Sequence, residues 1–126
     1  MSALVLEQEL DRLEGLWAEG MGDLYRSYLE EVDGHAPDLR PRLALASALV
    51  EMGVRLQGLG GPAAPPAALL MGDLCLARSS RILTDSATQP IQVAFARAIE
   101  ELSGAAASHQ EAPAVRELLI RALAAH

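Results

Sequence analysis

Apolar residues recur at every third or fourth position along most of this chain, and this spacing constrains its fold more than any other feature. The clearest run lies in the first thirty residues and would line one side of a helix: Leu6, Leu10, Leu13, Trp17, Met21, Leu24 and Tyr28. Most acidic residues here fall off that side, so residues 1–33 are predicted to form an amphipathic helix or helix pair. Because glycine weakens a helix by about 1 kcal/mol relative to alanine, a kink or break is predicted near Gly20.

Glycine and proline residues divide the remainder of the chain into further helices. The predicted ranges are 38–57, 67–84, 88–103 and 113–125. Asp38 and Thr88 are the predicted N-caps, and Pro41 and Pro90 fall in first turns, where a missing N–H removes no helix bond. Gly104 is predicted to end the helix over 88–103. The sequence therefore predicts a single all-α domain, a compact bundle of about five helices.

Composition agrees with a helical chain that buries part of its surface against a partner. Apolar residues make up 51% of the 126 residues, whereas aromatic residues make up only 3%. The segment 67–84 is apolar on nearly every side, which predicts burial either in the core or in a subunit interface. An apolar excess in so short a chain indicates burial against another subunit.

Charge and cysteine usage exclude several classes of partner and location. The net charge of −7 argues against nucleic acid or an anionic membrane surface as the main partner. All ten basic residues are arginine, so no lysine is available for Schiff-base chemistry or a phosphate clamp. Cys75 is the only cysteine, and no charge-free apolar run reaches about 18 residues. We therefore expect a cytoplasmic protein without membrane insertion.

No catalytic residue, metal site or cofactor is predicted from the residue types that could carry chemistry. His35, His109 and His126 are not spaced as zinc ligands, and Cys75 lies in an apolar helix as a small core residue. Ser79-Ser80 lacks the sequence setting of a nucleophile.

The remaining candidates for chemistry also favour structural roles. The adjacent carboxylates Glu30-Glu31 and Glu100-Glu101 are expected to be solvated, because neighbouring residues point to different helix faces. The glycines between Gly58 and Gly61 lack the lysine of a phosphate-binding loop.

Two helical phrases carry a resemblance to a known family: Leu39-Arg40-Pro41-Arg42-Leu43 and Leu70-Met71-Gly72-Asp73-Leu74-Cys75-Leu76-Ala77-Arg78. Between about Gly34 and Gly104, the chain resembles the trans-isoprenyl diphosphate synthases, which are all-helical prenyltransferases. In that family, the first phrase ends a Gly-Gly-Lys-Arg-Leu-Arg-Pro stretch that holds a diphosphate. The second is a Gly-Asp-x-x-Leu-Ala helix that follows an aspartate-rich, magnesium-binding helix. The matching residues, for which we expect structural roles, are Leu39, Arg40, Pro41, Gly72, Asp73, Leu76 and Ala77.

The chain departs from the family where the family's chemistry takes place. Pro37 and Asp38 stand where the diphosphate-binding phrase has its Lys and Arg, and an aspartate there repels a diphosphate. The interval from Gly58 to Pro66 contains no acidic residue, and the sequence contains no Asp-Asp pair to chelate magnesium. Prenyl transfer by this chain alone is therefore not expected.

The resemblance implies an N-terminal part of the isoprenoid synthase fold with a non-catalytic role. The chain is similar to the short small subunit of heterodimeric medium- or long-chain polyprenyl diphosphate synthases, which lacks the aspartate-rich motifs. Its expected partner is the catalytic prenyltransferase subunit, which it would stabilise and whose product length it would help to set. The expected interface residues are Leu69, Leu70, Leu74, Leu76, Arg78 and Leu83. The alternative is a homo-oligomeric helical protein of unknown role that is related to the family in fold only.

Overall fold

The computed structural model describes residues 15–16, 20–58, 65–107 and 114–126, and in these ranges the protein is all-α. The helices in the described ranges are α1 Gly22–Glu31, α2 Arg40–Leu56, α3 Pro66–Ser86, α4 Gln89–Ala107 and α5 Val115–Leu123. The all-α prediction is confirmed. None of these helices combines the length and apolarity needed to cross a lipid bilayer.

Helix α1 begins two residues after Gly20, which has an unusual backbone conformation. Gly20 has a φ of 122°, which lies outside the helical region and is adopted readily only by glycine. This glycine lies at the position where the sequence predicts a kink or break. Leu16, before Gly20, and Leu24 and Tyr28, after it, are buried and belong to the core. The predicted stripe residues Leu6, Leu10, Leu13 and Trp17 lie outside the described residues.

Helix α2 is the centre of the fold and contacts α1, α3 and α5. Every residue from Ala46 to Val54 is buried, so this helix has no solvent-facing side over more than two turns. The sequence predicts that the helix over 67–84 is buried all round, either in the core or in a subunit interface. Burial of this helix in the core is wrong. Helix α3 buries only Gly72, Cys75, Ser79 and Leu83. The small side chains of α2 explain the difference, because they let three neighbouring helices approach it closely.

Helices α2 and α3 are antiparallel and touch through two glycines. A Cβ atom added to Gly53 would lie 3.1 Å from the carbonyl oxygen of Gly72 and 3.1 Å from Cγ of Leu76. A Cβ atom added to Gly72 would lie 2.5 Å from Cγ of Gln57 and 3.0 Å from the carbonyl oxygen of Gly53. Farther along, the hydroxyl of Ser79 donates a hydrogen bond of 2.9 Å to the carbonyl oxygen of Ala46. The two backbones therefore pack against each other with almost no side chain between them.

Two predicted helix limits are wrong for identifiable physical reasons. Helix α4 continues through Gly104 to Ala107, because one glycine costs a helix only about 1 kcal/mol and alanines follow it. Helix α2 begins at Arg40, and Leu39 rather than Asp38 occupies the N-cap position without a side-chain bond. A turn precedes α2, in which the amide of Leu39 donates to the carbonyl oxygen of Ala36 at 2.9 Å.

Helices α4 and α5 close the bundle on a second apolar surface. Helix α4 buries Ile91, Phe95, Ala98 and Leu102, which recur at helical spacing. Helix α5 buries a matching set: Leu118, Leu119, Ala122 and Leu123. These side chains belong to one cluster with the core of α2, and α5 contacts the central helix while α4 contacts α5 and α3.

The glycine contact predicts opposite effects for two glycine-to-alanine substitutions. Gly53→Ala should lower the free energy of unfolding by about 1–2 kcal/mol, because its methyl group meets α3 backbone and cannot be relieved by a rotamer change. Gly104→Ala is the matched control, since an added Cβ meets nothing within 4 Å there. It should raise stability by about 0.5–1 kcal/mol through helix propensity. Urea unfolding measures both, and stabilisation by Gly53→Ala would contradict the close contact.

Candidate functional site

Arg40, the basic residue of the first family-like phrase, is engaged by the backbone just before its own helix. Its Nε atom donates to the carbonyl oxygen of His35, and a terminal nitrogen donates to that of Asp33, both at 2.8 Å. These bonds fix the turn between α1 and α2. The guanidinium thus has a structural role in the turn.

The second phrase lies at the opposite end of the α2–α3 pair. Gly72 is buried against Gly53, while the exposed carboxylate of Asp73 accepts a 2.6 Å hydrogen bond from the side-chain amide of Gln57. Arg40 and Gly53 are separated by roughly 20 Å along α2, at about 1.5 Å per residue. The fold therefore does not bring the two phrases together into one site.

The other residues that match the family's two phrases are divided between the core and the surface. Leu39 is half-buried and packs against the core, and Pro41 is exposed in the first turn of α2. Leu76 is half-buried where α3 meets Gly53, and Ala77 is exposed.

The expected interface residues of α3 differ in how much surface they expose. Leu69 is 42% exposed and Leu70 is 55% exposed, which is unusual for leucines within a helix of this bundle. Leu74, Leu76 and Arg78 are half-buried. Leu83 is only 5% exposed and belongs to the core, so it offers almost no surface to a partner. An exposed apolar surface therefore exists at the N-terminal half of α3.

A buried polar cluster that the sequence did not reveal connects α1 with α2. The hydroxyl of Tyr28, a residue with no exposed surface, donates a 2.7 Å hydrogen bond to Oε1 of Glu51. Arg55 pairs with the other oxygen of this carboxylate, which lies among buried residues of α2. Arg116 of α5 lies over the Tyr28 ring, 4.7 Å from its centroid. The cluster satisfies each buried polar atom and joins three helices.

Burial is the main cause of the shifted pKa of Tyr28. Desolvation raises the pKa of its hydroxyl well above the ordinary range, and the hydrogen bond to Glu51 and its negative charge raise it further. The hydroxyl therefore remains a hydrogen-bond donor throughout the physiological pH range. A glutamate within the apolar run Leu49-Val50-Glu51-Met52 is the sequence signal that points to this cluster, since a buried carboxylate requires partners.

The other candidate residues are separated or have structural partners. Nε2 of His35 donates to the carbonyl oxygen of Leu123 at 2.9 Å, which ties the α1–α2 turn to the end of α5. His126 is exposed, and His109 lies outside the described residues. Over the described ranges, no group of three or more His, Cys, Asp or Glu residues is placed to hold a metal ion.

The remaining carboxylates and hydroxyls are at the surface or support helix packing. Glu30, Glu31, Glu100 and Glu101 are exposed, and Glu31 contacts Arg116 at 3.5 Å. The Ser79 hydroxyl is buried in its bond to α2, while Ser80 is exposed.

Comparison with protein-family models, with curated proteins and with solved structures finds no match to this chain. Over the described residues, the protein is all-α and every buried side-chain nitrogen or oxygen has a hydrogen-bond partner.

The Tyr28–Glu51 bond predicts a coupled loss of stability. Tyr28→Phe keeps the ring beneath Arg116 but leaves a buried carboxylate oxygen without its donor, so unfolding free energy should fall by about 1–3 kcal/mol. Replacing both partners in Tyr28→Phe/Glu51→Leu should cost less than the sum of the two single changes. Urea unfolding of the four proteins in this cycle measures the coupling. Strict additivity would show that the bond contributes nothing.

Burial of Cys75 predicts a loss of stability at alkaline pH. Burial raises the pKa of its thiol from 9.0 to about 11, so the unfolded chain releases this proton before the folded chain does. The contribution of the thiol to the free energy of unfolding should therefore be constant below about pH 9 and fall by up to about 1.4 kcal/mol per pH unit between about pH 9 and 11. Cys75→Ala should remove this part of the slope in urea unfolding. An unchanged slope in the variant would exclude the thiol as its cause.

Proposed function

We propose that this chain is a non-catalytic helical subunit that binds a partner through the outward side of α3. The observation that carries the proposal is the exposure of Leu69 and Leu70 on the same helix as the Gly72-Asp73 phrase. Apolar side chains that recur at one helix end favour a protein contact, because burying each leucine is worth about 1.5–3 kcal/mol.

The proposed partner is the catalytic subunit of a heterodimeric medium- or long-chain polyprenyl diphosphate synthase. This choice is supported by the family resemblance, because the two phrases follow each other along the sequence in the same order as in that family. The chain would stabilise the catalytic subunit and help to set product length without touching the reacting atoms. A cytoplasmic location fits this role and the single cysteine.

The hydrogen bonds made by the residues that match the family's two phrases support a binding role over a catalytic one. Arg40 donates to two backbone carbonyl oxygens, and Asp73 accepts from Gln57. The sequence also supplies no Asp-Asp pair for magnesium. The residues that resemble the family's landmarks are thus used to build the helix pair that presents α3.

The second candidate function is a homo-oligomeric helical protein of unknown role, related to the family in fold only. The same exposed leucines favour it, because they can be buried against another copy of this chain. The two candidates differ in which protein covers α3.

Co-expression with the prenyltransferase homologue of the same genome tests the first candidate. We expect a stable heteromeric complex by size-exclusion chromatography, with gained activity or altered product length in a prenyl-elongation assay. The double variant Leu69→Glu/Leu70→Glu should abolish the complex and its effect on activity, since two charges would be buried in the contact.

Val93→Glu is the matched control, because Val93 is 41% exposed but lies on α4. It should leave the complex intact. Absence of a complex with the wild-type chain, or a complex that tolerates both α3 charges, would contradict the proposed function.

A further inference from the structure

The outward side of α3 carries a second apolar stripe with heptad spacing. Ala67, Leu70, Leu74 and Ala77, here called the outer seam, are separated by alternating intervals of three, four and three residues. This is the spacing of the a and d positions in a two-stranded coiled coil. Ala67, Leu70 and Ala77 are exposed, and Leu74 is half-buried. The outer seam is therefore left open by the described part of the chain.

The outer seam lies on the side of α3 away from the central helix. The inward side buries Gly72, Cys75 and Ser79 against α2. At about 100° per residue, Leu70 and Leu74 each lie roughly 160° around the helix from Gly72. A helix placed on the outer seam would thus have α2 behind α3 and would not collide with it.

Two opposite charges flank the outer seam at positions that match across a parallel helix pair. Asp73 precedes the a-position residue Leu74, and Arg78 follows the d-position residue Ala77, so they occupy a g and an e position five residues apart. In parallel coiled coils, a g residue faces the e residue of the following heptad in the other helix. Arg78 has no hydrogen bond or ion pair within the described residues, and Asp73 uses only Oδ1 for its bond from Gln57.

These charges distinguish between the two possible helix directions. In an antiparallel pair, g positions face g positions and e positions face e positions, so Asp73 of one copy does not face Arg78 of the other. The parallel pair instead forms two Asp73–Arg78 contacts related by symmetry. Over residues 67–78 the outer seam is therefore complementary to a second copy of itself in the parallel direction, and it ends before Arg81, the next a position.

We propose that two copies of this chain pair in parallel through the outer seams of α3, with Asp73 of each copy facing Arg78 of the other. The proposal rests on the proposed function in assigning the binding face to α3, and it names the occupant of that face when the chain is alone. A catalytic subunit that binds α3 would replace the second copy.

Sedimentation equilibrium of the purified chain tests the proposal. We expect a monomer–dimer equilibrium that Leu70→Glu weakens about a hundredfold or more, because the substitution enters a symmetric contact twice. Val93→Glu, at an exposed α4 position, should leave the equilibrium unchanged. Circular dichroism of each variant verifies that helix content is retained.

Charge exchange tests the direction of the pair. Asp73→Arg and Arg78→Asp should each weaken the dimer about tenfold, and the double variant should recover most of the wild-type affinity. Ala77→Cys should give a disulfide-linked dimer on oxidation, since equivalent d positions face each other in a parallel pair.

A monomeric chain, a dimer that tolerates Leu70→Glu, or a charge exchange that restores nothing would each overturn the proposal. The chain is studied alone, so these outcomes are separate from those of the co-expression experiment. A dimer that never binds a prenyltransferase would contradict only the proposed function, and a monomer that binds one would contradict only the parallel pairing.

Discussion

The close approach of α2 and α3 at Gly53 and Gly72 is the contact on which the rest of the structure depends. Because neither glycine has a side chain, a backbone carbonyl of one helix reaches the backbone of the other. Ser79 then donates to the carbonyl oxygen of Ala46 on the same side of the pair. The inward side of α3 is small at Gly72, Cys75 and Ser79, whereas Leu69 and Leu70 lie outside the contact. The contact through small residues packs α2 and α3 closely and also leaves these two leucines at the surface.

Helix positions could be predicted from the sequence because they depend on local spacing and on glycine and proline. Pro41 and Pro66 each lie at the start of a helix, where proline is tolerated, and Gly20 interrupts the helical spacing with a positive φ. Burial could not be predicted in the same way, because it depends on which helices become neighbours. Helices α2 and α3 are both rich in alanine and leucine, yet only α2 is enclosed. Gly104 shows a different limit, since a single glycine followed by alanines does not end a helix.

The candidate site was predictable only as a set of residues and not as an arrangement. The sequence pointed to Arg40 and Asp73, but their hydrogen-bond partners come from a turn and from the end of another helix. The Tyr28–Glu51 bond joins residues 23 positions apart, so the glutamate in an apolar run indicates that a partner is needed but not that Tyr28 is the partner. Leu70 and Leu83 were both expected at an interface, but Leu83 lies in the core, because it is on the inward side of α3 with Cys75 and Ser79. Long-range geometry, rather than residue type, determines these roles.

Site-specific photo-crosslinking tests the central claim, that the outward side of α3 is the binding surface, most directly. A photoreactive amino acid would replace Leu70 in one strain of the source organism and Val93 of α4 in another, and mass spectrometry would identify the crosslinked chains. The account predicts a catalytic prenyltransferase chain crosslinked through position 70 and not through position 93. Crosslinks to that chain through position 93 alone, or no prenyltransferase chain at position 70, would contradict it.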